Sequence, residues 1–290
     1  MMRGAASGFR ERALRWPGRA RASAPAASAA RVRRMAGWGA AVGGLAAGVA
    51  FAPAAWLATA VHQATAGQVL LSEPAGSVWR GQARLTLSGG AGSRDALTLP
   101  GRVAWRFGLE GAAPTLALEQ PCCLAAPLRL RLEPGFGRWA VALGAAPAGL
   151  GQWPADWLAA LGTPWNTLQL AGTVRLSSPG LRLERVQGRW RLEGALQADF
   201  EHMASRVSTL PRLGSYRLGV KGDGAAGDAA TVTLSTTAGP LLLSAEGQWA
   251  GARLRLRGEA RAEPGSEAAL QNLLNLLGRR DGARALLAIG

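Results

Sequence analysis

The sequence is poor in the residues that most often carry chemistry. Only two of its 290 residues are cysteine and two are histidine. Cys122 and Cys123 are adjacent, and two sulfurs without a neighbouring histidine are too few for a structural zinc site, which needs four ligands. His62 and His202 each stand without a partner at the spacing of a general base. The folded part must therefore be stabilised mainly by its apolar core.

The common catalytic motifs are also missing from the sequence. It has no Gly-x-Ser-x-Gly elbow, phosphate-binding loop, His-x-x-x-His pair or paired metal carboxylates. The acidic residues Glu193, Asp199 and Glu201 fall on the polar face of a predicted strand, where charge is typical of a solvated surface. The sequence therefore gives no support to a membrane-bound hydrolase. We expect a protein that is not an enzyme and needs no cofactor.

Positive charge is concentrated before the longest uncharged run. Residues 1–34 contain nine arginines and one glutamate, whereas residues 62–290 contain 24 basic and 17 acidic residues. Residues 35–61 carry no charge, and 27 residues suffice to cross a hydrocarbon core of about 30 Å as a helix. The preceding arginines favour a cytoplasmic N-terminus. We therefore predict a disordered cytoplasmic arm over 1–34, a single transmembrane anchor over 35–61 and a remainder outside the cytoplasm. No recognised nucleic-acid-binding fold is present, so nucleic acid is not an expected partner.

Several residues refine the prediction for the uncharged run. Trp38 and Trp56 stand near its ends, where an indole favours the head-group region. Gly39 and Gly43 have the spacing that lets two helices approach closely. Pro53 marks a kink or a frayed helix end. The alternative is a signal peptide cleaved at residues 58–60 (Ala-Thr-Ala), although the apolar run and the preceding arm are long for one.

Beyond the anchor, strict alternation of apolar and polar residues predicts half-buried strands. About ten strands joined by short Gly/Pro turns predict a mainly β fold, a large twisted and curled antiparallel meander with one apolar and one polar face. The predicted strands cover residues 78–87, 103–109, 128–133, 139–143, 168–176, 186–200, 216–220, 232–234, 241–249 and 254–261.

One predicted strand is unusually long. Residues 186–200 keep a single phase, which corresponds to a strand of about 50 Å at about 3.3 Å per residue. Two collinear strands broken at Gly194 are the alternative. The phase change at Glu184 and Arg185 indicates a turn or bulge before this strand.

Two helical stretches interrupt the strands. Residues 154–161 predict a short helix, and residues 266–277 predict a longer one that Ser266 caps and Gly278 ends. Its apolar stripe consists of Leu270, Leu273, Leu274 and Leu277. The chain beyond the anchor is therefore divided into a polar linker (62–77), a periplasmic β domain (78–265) and a C-terminal helix and tail (266–290), and the tail either packs on the sheet or extends from it.

Two surface features are candidates for partner binding. The last predicted strand carries a basic row, Arg253, Arg255 and Arg257, on one face. This row either resists unwanted strand pairing or forms a docking strip for an acidic partner or a lipid phosphate. The turn over 162–166 contains Trp165 and Asn166, with other tryptophans nearby. Tryptophan is enriched in binding hot spots, although packing against the sheet is the simpler use.

The adjacent cysteines leave two alternatives open. Neighbours on a strand point to opposite faces, which favours two small, mostly buried thiols. A vicinal disulfide in an oxidising periplasm is the alternative.

Five short blocks give the sequence a resemblance to a known family. They are residues 76–81 (GSVWRG), 161–168 (LGTPWNTL), 214–218 (GSYRL), 239–242 (GPLL) and 257–261 (RGEAR), which leads into the final helix. Their order and spacing resemble those of the type II secretion system protein N family, over about residues 76–285. These are accessory components of the general secretion pathway of Gram-negative bacteria.

The resemblance implies a single anchor, a periplasmic mainly β domain and a supporting role in moving folded proteins across the outer membrane. It transfers no catalytic residue. The expected partners are other type II secretion components, either the inner-membrane platform or the secretin. The alternative is an AsmA-like lipid-binding or lipid-transfer protein, since a long curled sheet with one apolar face also suits that function. The two differ in whether Trp79, Trp105, Trp190 and Leu192 are covered or line an open trough.

Overall fold

The computed structural model of the chain describes residues 26–90, 93, 95–162, 165–224, 229–250 and 253–290. The chain divides into two compact units between Ala50 and Phe51. Residues 1–25, most of the predicted arm, lie outside the described residues. The described part of the first unit is one helix, α1 (Ala26–Ala50), and its side chains are exposed from Val32 onward. Residues 26–34 of the predicted arm begin α1, where alanine and arginine are strong helix formers. Disorder of the arm stays a prediction.

The uncharged run is divided between two helices. α1 ends at Ala50, and α2 (Ala54–Ala64) begins in the second unit after Pro53, which occupies the N-cap position with extended dihedral angles. Proline has no N–H to donate to a continuing helix, so the break falls at the residue that the sequence marks. Among the described residues, no helix is both long enough and apolar enough to cross a membrane. The transmembrane anchor over 35–61 is therefore not confirmed.

The second unit is mainly β, as predicted. Its first eight strands are β1 (Val69–Gly76), β2 (Arg80–Ser88), β3 (Ala96–Thr98), β4 (Val103–Glu110), β5 (Ala113–Glu119), β6 (Leu128–Gly135), β7 (Arg138–Leu143) and β8 (Ala146–Pro154). A 3₁₀ helix (Ala155–Leu161) and the short α3 (Trp165–Leu168) follow. The remaining elements are β9 (Leu170–Val186), β10 (Arg189–Ser205), β11 (Gly214–Asp223), β12 (Ala229–Ala238), β13 (Leu241–Ala250), β14 (Arg253–Ala262), α4 (Glu267–Leu277), β15 (Arg279–Asp281) and β16 (Arg284–Ile289).

These sixteen strands form one antiparallel sheet in the described part of the chain. Its order is β1-β2-β4-β5-β6-β7-β9-β10-β11-β12-β13-β14-β16-β15, while β3 pairs with β2 and β8 pairs with β9. Neighbours in the sheet are mostly neighbours in the sequence, which confirms the predicted antiparallel arrangement. The two edge strands, β1 and β15, do not pair with each other, so the sheet is open along this path.

Six strands, β1, β3, β5, β8, β15 and β16, were not predicted. The polar linker over 62–77 is a wrong prediction, because its second half pairs with β2 as β1. The tail after α4 packs on the sheet, since β16 pairs with β14. Most of these strands are short or rich in alanine and proline, so they show little alternation of apolar and polar side chains.

The longest hairpin is formed by β9 and β10, which have 17 residues each. Gln187 and Gly188 join them, and both have positive φ angles (49° and 84°), as a two-residue turn of the primed type requires. Val186 therefore ends β9 instead of starting β10. The long strand itself is confirmed, because β10 continues through Gly194 to Ser205.

A bulge in β9 keeps the long hairpin on one apolar face. The register with β10 shifts between the pairs Ala195–Gly180 and Gln197–Ser177. The apolar positions of β9 change parity there, from Val174 and Leu176 to Leu181 and Leu183. This bulge was not predicted. The turn or bulge predicted at Glu184 and Arg185, after Leu181 and Leu183, corresponds to the turn of Gln187 and Gly188 between β9 and β10. Gly194 faces this bulge closely, since a Cβ on it would lie 2.1 Å from the carbonyl oxygen of Gly180.

The two ends of the sheet differ in how the apolar face is covered. At one end lie three two-residue turns, after β4, β6 and β9. We call this end the hairpin end. The connections that contain the 3₁₀ helix, α3 and α4 lie at the opposite end, so we call it the helical end.

The largest apolar core lies at the helical end. Leu270, Leu273 and Leu274 of α4 are completely buried there, against strand residues that include Tyr216 and Ala260. The predicted leucine stripe is therefore the buried face of α4. A smaller cluster joins α2 to the first strands, where Ala54 and Leu57 pack with Ala83 and Trp105. Helices of the chain thus cover two areas of the same apolar face.

Candidate docking surface

At the hairpin end of β9 to β13, the described helices of the second unit leave the apolar face uncovered. A groove of about 420 Å³ lies there. We call it the tryptophan groove. Its lining includes Leu181, Leu183, Trp190, Leu192, Val220 and Trp249. Trp249 is 48% exposed, which is unusual for so large an apolar side chain on the core-facing side of a sheet.

Strand register places the aromatic residues of this surface. Trp139 on β7 pairs with Arg185 on β9, and Arg185 pairs with Trp190 on β10. The rings of Trp139 and Trp190 meet edge to face, with centroids 5.1 Å apart. The turn just beyond Trp139 exposes the whole side chain of Phe136. The ring pair of Trp139 and Trp190 therefore continues the apolar surface from β10 to β7.

Small residues between the tryptophans keep the groove open. On β10, position 194 is glycine and pairs with Gly222 of β11. On β12, Ala230 faces Trp249 of β13. All three positions belong to the apolar face by parity, and Ala230 lines the groove. A Cβ on Gly194 or Gly222 would clash with the backbone of Gly180 or Leu192, so only glycine fits at these two positions.

Arg185 gives this apolar surface a positive charge. Its guanidinium carbon lies 5.4 Å from the centroid of the Trp190 ring, a cation–π contact. The nearest carboxylates along β9 and β10, Glu184 and Glu193, have the opposite parity and contact Arg182 on the polar face. Among the described residues, no carboxylate lies within ion-pair distance of Arg185.

The polar face is covered by ion pairs. Arg182 donates to Glu133 at 2.9 Å, and this hydrogen bond raises the pKa of Arg182 above its ordinary value. Arg217 pairs with Asp199 at 2.7 Å. These pairs are partly or largely exposed, so each contributes little to stability. The face is a solvated surface, as predicted for its acidic residues.

The predicted basic row lies on this polar face. Arg253, Arg255 and Arg257 are exposed on β14, and Arg257 pairs in register with Glu246 of β13. β14 is not the last strand, because β16 pairs with its residues 256–261. Arg253 and Arg255 lie outside that paired range. Their role in binding a partner stays a prediction.

The predicted tryptophan turn lies at the helical end, away from the groove. Trp165 and Asn166 begin α3, and residues 163 and 164 lie outside the described residues. The side-chain amide of Asn166 donates to the Asp95 carboxylate at 2.8 Å, which ties α3 to the segment before β3. Trp165 is partly exposed. A role for Trp165 and Asn166 in binding a partner stays a prediction.

The predicted anchor residues fall on two different helices. Trp38, Gly39 and Gly43 lie on α1, whereas Trp56 lies on α2, so the two tryptophans do not mark the ends of one helix. The break at Pro53 is the reason. Added Cβ atoms on Gly39 and Gly43 would meet nothing within 4 Å. Helix pairing through these glycines stays a prediction.

Cys122 and Cys123 form a vicinal disulfide. Of the two alternatives the structure has the crosslinked one, so the expectation of two thiols is wrong. The loop makes this geometry accessible because the cysteines lie in a turn after β5 and not on a strand. Cys122 is exposed, whereas Cys123 is buried in a cluster with Trp153. Among the described residues, no group of acidic, histidine or cysteine side chains could hold a metal ion.

The alternation of apolar and polar residues in the predicted strands puts Trp139, Trp190 and Trp249 at apolar positions, but it does not show that they form one surface. In the sequence, Arg185 marks only the place where the apolar alternation changes phase. The positions of these residues in the sequence could have indicated the surface, since Trp139, Arg185 and Trp190 all lie within four residues of a two-residue turn.

The fold defines the class of the protein: a mainly β protein built on an open antiparallel sheet whose apolar face is partly covered by its own helices. The chain belongs to the type II secretion system protein N family, since the family model described as type II secretion system (T2SS), protein N, matches residues 67–287. This range runs from just before β1 into β16 and confirms the resemblance. Comparison with curated proteins and with solved structures gives no match.

Family membership supports an accessory role in type II secretion. The alternative of an AsmA-like lipid carrier is not favoured. Of the side chains expected to line a continuous trough, Trp105 is only 4% exposed and its indole N–H donates to the carbonyl oxygen of Val78 at 2.9 Å. Trp190 and Leu192 line the local groove described above.

Proposed function

We propose that this protein is a non-enzymatic accessory component of the type II secretion system. It supports the export of folded proteins across the outer membrane through contacts with the inner-membrane platform or the secretin. The observation that carries this proposal is the family match over residues 67–287, which covers nearly the whole sheet.

We further propose that α1 attaches the protein to the inner membrane, with the sheet in the periplasm. Residues 35–50 of α1 are uncharged and exposed, and Arg33 and Arg34 precede them. At about 1.5 Å per residue this uncharged part is about 24 Å long, a few ångströms short of a typical hydrocarbon core. Local thinning of the bilayer and extension of the arginine side chains toward the head groups accommodate such a mismatch.

The secretion role is tested by deleting the gene in its host without changing the other secretion genes. We expect the activity of secreted enzymes in the medium to fall toward that of a strain without the secretin, and the full chain supplied in trans to restore it. Unchanged secretion in the deletion strain under all growth conditions would contradict the proposal.

The location is tested separately. A reporter that is active only in the periplasm, fused after Gly290, should be active, and the full chain should stay in the membrane fraction after alkaline carbonate extraction. Replacing residues 35–50 with a polar sequence of equal length should release it. A reporter that is inactive, or a full chain that carbonate extracts, would contradict the proposed attachment.

A further inference from the structure

We propose that the tryptophan groove binds an amphipathic helix of another secretion component, which carries a carboxylate that pairs with Arg185. This inference rests on the proposed secretion role and names the chemistry of the partner. The partner helix fills the groove with apolar side chains and places the carboxylate toward β9.

The first argument is continuity with helices that already pack on this face. α2 covers the face over the first strands with Ala54 and Leu57, and α4 covers it at the helical end with its leucines. The groove is an area of the same face, on β9 to β13, that neither α2 nor α4 contacts. An additional helix would therefore pack on the apolar face of the sheet in the same way as α2 and α4.

The second argument is the size of the groove. Trp190 lies on β10 and Trp249 lies on β13. These two strands are three inter-strand spacings apart, which is about 14 Å at about 4.8 Å per spacing. An α-helix with its side chains is about 10–12 Å across. The width between these strands is therefore sufficient for one helix. The register places Trp249 level with Gly194, four residues along β10 from Trp190, so the two tryptophans contact different parts of such a helix. Tryptophan is a residue type that dominates binding energy in protein interfaces.

The third argument is charge. A partner that covers the row of Trp139 and Trp190 also covers Arg185, and an arginine taken out of water without a counterion is costly. The neighbouring carboxylates Glu184 and Glu193 contact arginines on the other face of the sheet. The occupant must therefore bring its own carboxylate.

Charge also argues against two other occupants. A second copy of the chain docked groove to groove would bring one Arg185 close to the other. The chain's own first 25 residues contain six arginines and a single glutamate, so they do not complement a positive surface. An acidic, apolar segment of a different protein satisfies both requirements.

The inference is tested by photocrosslinking in the intact envelope of the host. The full chain carries p-benzoylphenylalanine in place of Trp249, and the matched control carries it in place of Gln248, an exposed neighbour on the polar face of β13. We expect position 249 to give an adduct with one other secretion component, absent at position 248. The crosslinked peptide should be an amphipathic helix with an aspartate or glutamate beside its apolar stripe.

Charge reversal then tests the proposed pairing. Arg185→Glu should lower the yield of the adduct at least about tenfold, the scale of losing a buried charge pair. Arg191→Glu, on the polar face of β10, should leave the yield unchanged. Replacing the partner's carboxylate with arginine should restore the adduct of the Arg185→Glu protein. Equal protease resistance of both variants shows that they are folded.

Several outcomes would overturn the inference. They are an adduct only with phospholipid, an adduct only with a second copy of this chain, a crosslinked peptide without a nearby carboxylate, or no adduct from a chain that restores secretion. The last outcome leaves the secretion role intact, because complementation measures that role independently. If deletion of the gene does not impair secretion, the proposed function fails on its own evidence.

Discussion

The packing of α4 on the sheet predicts a large loss of stability when one of its leucines is shortened. Leu273 is 1% exposed and lies in the largest core cluster. Leu273→Ala removes three carbon groups, which costs about 2.4 kcal/mol at about 0.8 kcal/mol per group. The cavity left behind raises this to about 3–4 kcal/mol. For a unit of this size, about 2–4 °C per kcal/mol corresponds to a fall in melting temperature of about 10 °C.

The measurement is thermal unfolding of the full chain, reconstituted in nanodiscs and followed by circular dichroism of the sheet. The matched control is Leu276→Ala, the same substitution on the same helix at a side chain that is 52% exposed. This control should lower the melting temperature by less than about 3 °C, as expected for an exposed position. Equal shifts for the two variants would refute the packing of α4 and the boundary of the groove drawn from it.

Three further predictions concern single side chains. Trp105→Phe should cost about 1–2 kcal/mol, because it removes the hydrogen bond to Val78 while keeping most of the buried ring; an unchanged melting temperature would contradict this. Burial raises the pKa of Tyr216 in the folded protein above its unfolded pKa of about 10. The stability that the neutral phenol provides is therefore fully present below about pH 10 and is lost as the pH rises toward the higher pKa of the folded protein. Tyr216→Phe should therefore lessen the loss of stability in an alkaline titration, whereas an identical titration would contradict the assignment. The disulfide predicts that Cys122 and Cys123 resist alkylation until a reductant is added, and mass spectrometry that finds two alkylated cysteines without reductant would contradict it.

Much of the fold follows from local patterns in the sequence. Alternation predicted the apolar and polar faces, because neighbouring side chains of a strand point to opposite sides whatever the rest of the chain does. The leucine stripe and the terminal Gly278 predicted α4 within one residue, since helix periodicity and helix ends are also local properties. Pro53 marked the break after α1 for the same reason.

Other features depended on contacts between residues that are distant in the sequence. β1 and β8 have weak alternation and exist because β2 and β9 supply their hydrogen-bond partners. The bulge at Ser178–Gly180 was not predicted, because only the register of β9 with β10 shows it.

The candidate surface also depends partly on local sequence patterns and partly on contacts between distant residues. The sequence by itself determined that Trp139, Trp190 and Trp249 face the apolar side, because strand parity is sufficient for that. Only the tertiary structure decided that α4 and α2 cover other parts of this side and leave these tryptophans exposed around Arg185. The physical reason is that parity is a property of one strand, whereas coverage depends on where helices far away in the sequence pack.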